Sequence, residues 1–572
     1  MKKTCNCSTH RPSNLNLITR RGFLDHSLKV GLGVALSTLL DIPPVLRRAL
    51  AEGHLGDPGP DGKVRKLLFV FLRGANDGLN SLIPIQDPAY GANWRPDILI
   101  PKDTSTSYGA SALPCDFPES GADGTFTHYP FAIRLGNGFA ALHPSLKFLA
   151  PVYNAGHLAL IHRVGYPRQS RSHFDSQAYW ETGDPNNNLN KEGILYRTIL
   201  QSGYANLRPV TAVSIQSSLP LILRGSEAAL TNLSSVSRYD LLNIPIALNT
   251  NAVTKADLAI QDANAYPFPT KASRDLLALQ YQNLMNTLPL FKDIAAQLAV
   301  NFRDDDVTDG DTDWANANGG EGYSLFPTSN NTNGGYLRPG GSTDANKYVV
   351  DTGAYNTAGT GFFNNLKAAA LVLNKTGAII AGTEFGGFDT HQNQGGVTGT
   401  HANLNRRIAW MMYALRKYFT RYADQCDWDH LTVVTLSEFG RTTVQNSDDG
   451  TDHAEAGVVF AAGGSIRGYG SGGPNGTGVF GCHTGDAVPW TPASSPTAQN
   501  GSMFGASSRY LKRFVDYRSV LGETIRWLGA TQTQLNDIIR GYATEPYLLS
   551  GGDASDGTPT VGHLGFLPPP VA

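Results

Sequence analysis

The sequence predicts an α/β fold with a largely parallel central sheet flanked by helices. Short apolar runs rich in β-branched residues, which are typical of buried strands, recur at residues 67–72, 158–164, 211–215, 378–383 and 431–436. Helical patterns lie between these runs. The clearest covers residues 404–419, where apolar side chains recur at helical spacing opposite arginines and a lysine. Strands that alternate with helices favour a parallel sheet with helices on its faces.

The first 51 residues have the pattern of a twin-arginine export signal. Arg20 and Arg21 precede Gly-Phe-Leu and an apolar stretch at residues 30–40, which is too short to span a bilayer stably. Ala-Leu-Ala at residues 49–51 is the small-residue pattern that a signal peptidase reads. The alternative, a basic amphipathic helix, needs a continuous polar face that the apolar stretch lacks. We therefore expect the twin-arginine machinery to export the chain to the periplasm or beyond, with no membrane span after signal removal.

Charge and cysteine content limit what the exported chain does. The whole sequence has a net charge of −2, and loss of residues 1–51 leaves 38 basic and 46 acidic residues. This acidic balance argues against nonspecific nucleic-acid binding. Cys115, Cys426 and Cys482 remain, so at most one internal disulfide can form in an oxidising compartment.

The domain organisation predicted after the signal is one large α/β domain over residues 64–545 and a C-terminal tail over residues 546–572. A polar insertion rich in Asn, Gly, Ser and Thr interrupts the domain at about residues 304–346. Its aspartates alternate as in a calcium loop, but the glycine position and closing glutamate of an EF-hand are absent. A solvated acidic loop is therefore favoured for Asp309, Asp311 and Asp313.

Polar clusters follow the predicted strands, and open α/β sheets bind ligands at the carboxyl ends of their strands. The clusters cover residues 73–78, 170–175, 386–391 and 437–442, with a further one at residues 450–453. They contain two close Asp-His pairs, Asp389/His391 and Asp452/His453. Carboxylates and imidazoles without thiolates are ligands for one or two divalent ions, such as zinc, which can activate a nucleophile and stabilise a charged leaving oxygen.

Each of these residues also has a structural interpretation. Asp77 could cap a turn, Asp389 could form an Asx-turn, and His453 could be hydrogen-bonded beneath a loop. Ser172 stands at the expected start of a helix, where free backbone amides suit an anionic substrate and a nucleophile. It could equally be the helix N-cap, with Asp175 three residues later, and the two roles are compatible.

The order of these blocks resembles an exported family called domain of unknown function 1501, and the resemblance spans roughly residues 64–530. The segments that carry it are residues 72–80, 171–175, 387–391, 437–441 and 450–453. Members of this family typically carry twin-arginine signals. The family is placed with the alkaline-phosphatase-like superfamily, which includes phosphatases, sulfatases, phosphodiesterases and cofactor-independent phosphoglycerate mutases. The resemblance therefore implies an alkaline-phosphatase-like fold.

The resemblance also implies roles for individual residues. It makes Asp77 the metal ligand after the first strand, Ser172 the nucleophile, and Asp389 and His391 ligands of one metal. His453 resembles the last histidine ligand of the superfamily.

The sequence departs from the superfamily pattern at one Asp-His pair. Glu438 stands where the superfamily usually has the aspartate, and Phe439 stands where it has the histidine. Asp452 could compensate for the missing ligand. One metal site is therefore altered or empty if the expected pattern holds.

We expect a metal-dependent hydrolase or transferase that acts on phosphate or sulfate esters of an anionic small molecule or polymer. Ser172 would be the nucleophile, and Arg171 or Arg441 would bind the anion. The predicted ligands of the divalent ions, zinc or similar, are Asp77, Asp389, His391, Glu438, Asp452 and His453. The alternative is a non-catalytic exported binding or assembly protein that keeps a structural metal or anion site. A third possibility is recognition of an extracellular polysaccharide through Trp and Tyr side chains in loops.

Overall fold

A computed structural model describes thirteen segments of the chain, and every structural statement below refers to them. These are residues 55–59, 61–102, 131–202, 210–226, 230–234, 290–291, 293–304, 323–327, 357–470, 476–481, 491–504, 513–542 and 561–569. The predicted export signal, most of the polar insertion with its three aspartates, and Cys115 and Cys482 lie outside these segments. Cys426 is buried as a free thiol.

The strands and helices alternate as the sequence predicts. The strands are β1 (Lys66–Leu72), β2 (Leu82–Pro84), β3 (Ile133–Arg134), β4 (Ala140–Leu142), β5 (Leu158–Gly165), β6 (Ala212–Ile215), β7 (Thr231–Leu233), β8 (Arg303–Asp304), β9 (Tyr323–Ser324), β10 (Ile380–Phe385), β11 (Leu431–Ser437), β12 (Gly457–Ala462), β13 (Val479–Phe480) and β14 (Val515–Asp516). The α-helices are α1 (Gly78–Ser81), α2 (Leu149–Asn154), α3 (His173–Thr182), α4 (Ile194–Ser202), α5 (Thr357–Lys375), α6 (Thr400–Arg421), α7 (Gly501–Phe504), α8 (Tyr517–Trp527) and α9 (Gln532–Ile538).

In the described part of the chain, nine strands form the main sheet in the order β13-β5-β12-β11-β1-β10-β6-β7, with β14 also paired to β5. Every pairing in this sheet is parallel except those of β12, which runs antiparallel to β11 and β5. The five predicted strands are confirmed as β1, β5, β6, β10 and β11, with boundaries that differ by at most two residues. A large, mostly parallel sheet flanked by helices is therefore confirmed.

Register brings the strand ends to one edge of the sheet. Leu72 at the end of β1 pairs with Phe385 of β10 and with Ser437 of β11, so these three strands end at the same level. Because β12 is antiparallel to β11, its amino end lies at this edge. Because β5 is antiparallel to β12, its carboxyl end lies there too. The polar segments that border these five ends are therefore neighbours in space.

The sheet is buried on both faces, as its uninterrupted apolar strands predict. Along β1, Leu68 and Val70 belong to a core cluster that includes side chains of α5 and α6, such as Trp410. The alternate residues, such as Phe69, belong to a second cluster with side chains of α3, α4 and α8. The predicted helix over residues 404–419 is confirmed as the central part of α6.

Two segments outside the central sheet are anchored to the helices that flank it. In the predicted insertion, Leu325 is buried and its carbonyl accepts a hydrogen bond from Trp410 Nε1 at 3.0 Å. In the predicted C-terminal tail, the amides of Leu564 and Leu567 donate to the buried carboxylate of Glu523. A search of the described residues for a helix with the length and apolarity needed to cross a membrane found none.

Candidate metal centre

The loop that follows β10 carries the first predicted Asp-His pair. The amide of Phe388 donates to the carbonyl of Arg73 at 3.1 Å, which ties this loop to the end of β1. The Phe388 side chain is buried, whereas the Asp389 side chain remains 47 % exposed. The loop thus anchors one residue in the core and presents the next carboxylate at the sheet edge.

The second Asp-His pair approaches from the connection between β11 and β12. His453 forms an isolated antiparallel bridge with Arg441, which fixes its backbone beside the loop that follows β11. Its Nε2 lies 3.1 Å from Asp389 Oδ1, and its Nδ1 lies 2.9 Å from the carbonyl oxygen of Arg171. His453 therefore connects the loop after β10 with the residues that precede α3.

His391 lies beside this pair. Its Nε2 is 2.9 Å from His453 Nε2 and 3.1 Å from Asp389 Oδ1. Its Nδ1 lies 3.3 Å from Asp452 Oδ1, which also accepts a hydrogen bond from Asn446 Nδ2 at 3.0 Å. Asp452 is thus placed to orient His391 and leave Nε2 directed at the other ligand atoms, an arrangement common around bound metals.

His173 completes the group, and it is the residue that sequence reasoning missed. It is the first residue of α3, and its Nε2 lies 3.5 Å from Asp389 Oδ1. This nitrogen is buried and makes no hydrogen bond within the described segments. Ligand atoms of His173, Asp389 and His453 all lie within 4.8 Å of one another. The available signal was its position in the polar cluster after β5, directly beside Ser172.

These distances suit a divalent metal ion. In a tetrahedral zinc site with bonds of about 2.0–2.1 Å, neighbouring ligand atoms are about 3.3 Å apart. The separations of 2.9, 3.1, 3.1 and 3.5 Å around Asp389 Oδ1 and His453 Nε2 fall near that value. His173 Nε2 makes no hydrogen bond within the described segments and has Asp389 Oδ1 only at 3.5 Å, so it is available as a ligand.

Arg441 forms a salt bridge with the Asp389 carboxylate from the protein interior. Its guanidinium is fully buried and donates to Asp389 Oδ1 and to backbone carbonyls, including those of Ala75 and Thr451 at 2.9 Å each. Burial alone would raise the pKa of Asp389, but Arg441 and the neighbouring histidines outweigh it and lower the pKa to about 2. Asp389 is therefore an anion over the whole physiological range.

Glu438 lies deeper than the other acidic residues. Its Oε1 accepts the Gly74 amide at 2.9 Å, its Oε2 accepts the Ala75 amide at 3.1 Å, and its Oε1 lies 3.4 Å from His173 Nδ1. Gly74 has φ +111°, and a Cβ there would lie 2.3 Å from the Asp389 amide nitrogen, so only glycine fits. Burial raises the pKa of Glu438, but the contacts with His173 and the Gly74 amide bring it below its usual value.

The pKa values of His453 and His173 shift in opposite directions because their surroundings differ. Burial lowers the pKa of His453, which favours the neutral ring that binds metals. The hydrogen bond to Glu438 raises the pKa of His173 despite partial burial. The buried ring of Phe439 packs against both, with centroid distances of 4.9 Å to His173 and 4.7 Å to His453.

Asp77 lies apart from this group. It is fully buried and caps α1 by accepting the amides of Leu79 and Asn80. Arg95 Nη1 donates to its Oδ2 at 2.7 Å, and Gln394 Nε2 donates to the same oxygen at 2.7 Å. The structure thus supports the capping role for Asp77 and brings Asp389, His391 and His453 together without it. Of the other predicted ligands, Glu438 and Asp452 contact the far ring nitrogens of His173 and His391.

Ser172 is the N-cap of α3, where its Oγ accepts the Asp175 amide at 3.4 Å. It lies between Arg171, whose carbonyl contacts His453, and His173. Arg171 is exposed, whereas Arg441 is buried. Of the two arginines predicted to bind an anion, Arg171 is therefore the one at the surface.

Comparison with known families agrees with one part of the resemblance. A model of a family described as "Protein of unknown function (DUF1501)" matches residues 342–475. The match supports the DUF1501 family for this chain. It covers Asp389, His391, Glu438 and His453, whereas His173 lies before it. No curated protein and no solved structure matches the chain.

Proposed function

We propose that the protein is a metal-dependent hydrolase or transferase with an alkaline-phosphatase-like fold that acts on phosphate or sulfate esters. The observation that carries this proposal is the convergence of His173, Asp389 and His453 on one point, directly beside a serine at a helix start. Perturbed acids and histidines gathered at the carboxyl edge of a parallel sheet are typical of active sites.

The proposed mechanism assigns a step to each neighbouring residue. Ser172 Oγ loses its proton to solvent and attacks the phosphorus or sulfur, and the bond to the ester's leaving oxygen breaks. Water or an acceptor hydroxyl then displaces the serine oxygen and takes the group. The amide dipole at the amino end of α3 favours the anionic group there. Arg171 neutralises part of the charge of the ester. Asp452 holds the His391 ring through its Nδ1. A divalent ion held by His173, Asp389 and His453 would lower the pKa of the serine hydroxyl and stabilise the leaving oxygen.

The test compares turnover of aryl phosphate and aryl sulfate by the wild type and by serine variants. Ser172→Ala removes both the nucleophile and the cap, whereas Ser172→Asn keeps a capping side chain and removes the hydroxyl. We expect both variants to lose turnover and only the alanine to lose stability, by about 1 kcal/mol. Wild-type protein that binds no metal and shows no Ser172-dependent turnover would exclude this function.

A second candidate is a non-catalytic binding or assembly protein with a structural metal. It is favoured by Asp77 and Arg441, whose side chains are buried in internal ion pairs rather than turned towards a substrate. In that case a chelator lowers the melting temperature while neither aryl ester is turned over. A melting temperature that does not respond to chelation counts against a structural metal.

We also propose that the protein works in the periplasm or outside the cell after twin-arginine export. The paired arginines Arg20 and Arg21 ahead of an apolar stretch support this location. Replacement of both by lysine should keep the full-length chain in the cytoplasm, as measured by cell fractionation. Undiminished export of that variant would argue for another route.

A further inference from the structure

We infer that this centre binds a single divalent ion and that His173 is one of its ligands. The inference deepens the proposed function and rests on its metal site. The superfamily resemblance implies ligands for a pair of ions, and the described residues fit only one of the two positions. Four features of the structure lead to this conclusion, and each concerns a different residue.

The carboxylate oxygens of Asp77 already accept hydrogen bonds from protein groups. Both of its oxygens contact Arg95, at 2.7 Å from Nη1 and 3.2 Å from Nη2, and Gln394 Nε2 adds a further bond at 2.7 Å. The Asp77 and Arg95 side chains have no exposed surface. A cation at Asp77 would have to displace a buried guanidinium and leave it unpaired, which costs several kcal/mol.

The carboxylate oxygens of Glu438 also already accept hydrogen bonds. Its two oxygens accept backbone amides of Gly74 and Ala75, so the carboxylate satisfies donors that have no other acceptor in the loop after β1. The next residue, Phe439, fills the adjacent space with an apolar ring that offers no lone pair. The residues that the resemblance assigns to the second position, Asp77, Glu438 and Phe439, therefore offer neither a free carboxylate nor an imidazole.

The buried guanidinium of Arg441 supplies positive charge beside Asp389, where the resemblance implies a pair of ions. Arg441 Nη2 contacts Asp389 Oδ1 and has no exposed surface. It balances the carboxylate at Oδ1, the same oxygen that lies 3.1 Å from His391 Nε2 and from His453 Nε2. One divalent ion and Arg441 together supply a charge of +3, one less than a pair of divalent ions.

His173 takes part because its Nε2 is directed at the same point as the other ligands. Glu438 contacts the opposite ring nitrogen, Nδ1, at 3.4 Å. A carboxylate on one nitrogen and a metal on the other is a common arrangement of ligating histidines, because it fixes the ring and raises its basicity. Glu438 thus acts through His173 as a positioning residue rather than as a ligand.

The first experiment measures stoichiometry on the full exported chain in its wild-type form. Metal-free protein is titrated with Co²⁺, and the visible absorption of the bound ion is followed to its end point, with the zinc content measured separately. We expect saturation at one equivalent and about one zinc per chain. An end point at two equivalents, with two zinc ions per chain, would overturn the inference and leave the hydrolase proposal standing.

The second experiment tests His173. We expect His173→Gln to weaken Co²⁺ binding by at least about tenfold and to change the absorption spectrum, because one nitrogen ligand is lost. His430→Gln is the matched control: that histidine is held between Asp427 and Asp61, at 2.6 and 2.5 Å, at the other end of β11. Unchanged affinity and spectrum in folded His173→Gln would overturn the assignment. Binding of one ion without turnover of either ester would reject the proposed function and retain this inference.

Discussion

Asp77 and Asp389 follow neighbouring strands of one sheet at the same edge, yet their surroundings are opposite. Asp77 has no exposed surface and is enclosed by Arg95, Gln394 and backbone amides. Asp389 is 47 % exposed and faces three histidines. The pKa of each is lowered to about 2, in both cases by an arginine that outweighs burial.

Position after a strand therefore does not by itself make an acid a metal ligand. What matters is whether protein donors already occupy its lone pairs. Around Asp77 they do, and the residue contributes to stability. Around Asp389, Arg441 also donates to Oδ1, but the other neighbours are histidine nitrogens. These can act as ligands themselves, so a cation can bind between them and the carboxylate. The two aspartates should therefore respond differently to mutation.

The largest expected effect concerns the pair at Asp77. Arg95→Ala leaves a buried carboxylate without its cation and should lower the free energy of unfolding by about 3–5 kcal/mol, as measured by urea denaturation. Lys63→Ala, which breaks the exposed ion pair with Asp427, is the control and should change stability little. A loss below about 1 kcal/mol in Arg95→Ala would mean that the pair at Asp77 is not structural.

At Asp389 we expect a larger effect on turnover than on stability. Asp389→Asn should reduce turnover more than about a hundredfold, because the ion loses its anionic ligand. The metal-free protein should also lose stability, because Arg441 loses its anionic partner, but less than Arg95→Ala loses, since Asp389 is 47 % exposed and asparagine keeps an acceptor oxygen. Calorimetric zinc titration and ester turnover measure the two effects. A variant that binds zinc as the wild type does would remove Asp389 from the metal site.

Low pH should reveal how much the ionised Asp77 contributes to the free energy of unfolding. Its pKa in the folded protein is about 2, below the ordinary value of 3.8, so its contribution is complete above about pH 3.8 and is lost as the pH falls through 2. The loss amounts to about 2 kcal/mol. Denaturation curves of the wild type and Asp77→Asn between pH 2 and 6 check this. Equal pH dependence in both proteins would contradict the assignment.

The smallest expected effect is on zinc affinity and concerns Glu438. Glu438→Gln should weaken zinc binding by about tenfold, because His173 loses its charged hydrogen-bond partner. Glu384→Gln is the control, since that carboxylate pairs with Arg73 near the same sheet edge. A drop of a thousandfold or more in Glu438→Gln would show that Glu438 is itself a ligand.

The sequence predicted the strands well because buried parallel strands are short, continuous apolar runs, as in β1 and β11. It also predicted that Asp389, His391 and His453 would meet, because the polar segments around the strand ends share one edge. It did not predict that β12 is antiparallel, which is why His453 reaches that edge just ahead of a strand.

The partners of Asp77 and Asp389 were not predictable from local pattern. Arg95 lies 18 residues after Asp77, in an irregular segment without any motif, and only tertiary packing brings it to the carboxylate. His173 has the local signature of the first residue after an N-cap, which gives no indication of where its ring points. Side-chain direction at a helix start depends on the neighbouring loops, here those that carry Glu438 and Phe439.

The most direct test is a crystal structure of the protein soaked with zinc, with anomalous diffraction measured at the zinc edge. We expect a single strong peak among His173 Nε2, Asp389 Oδ1 and His453 Nε2, and none beside Asp77. A peak beside Asp77, or no peak near the histidines at saturating zinc, would contradict this expectation.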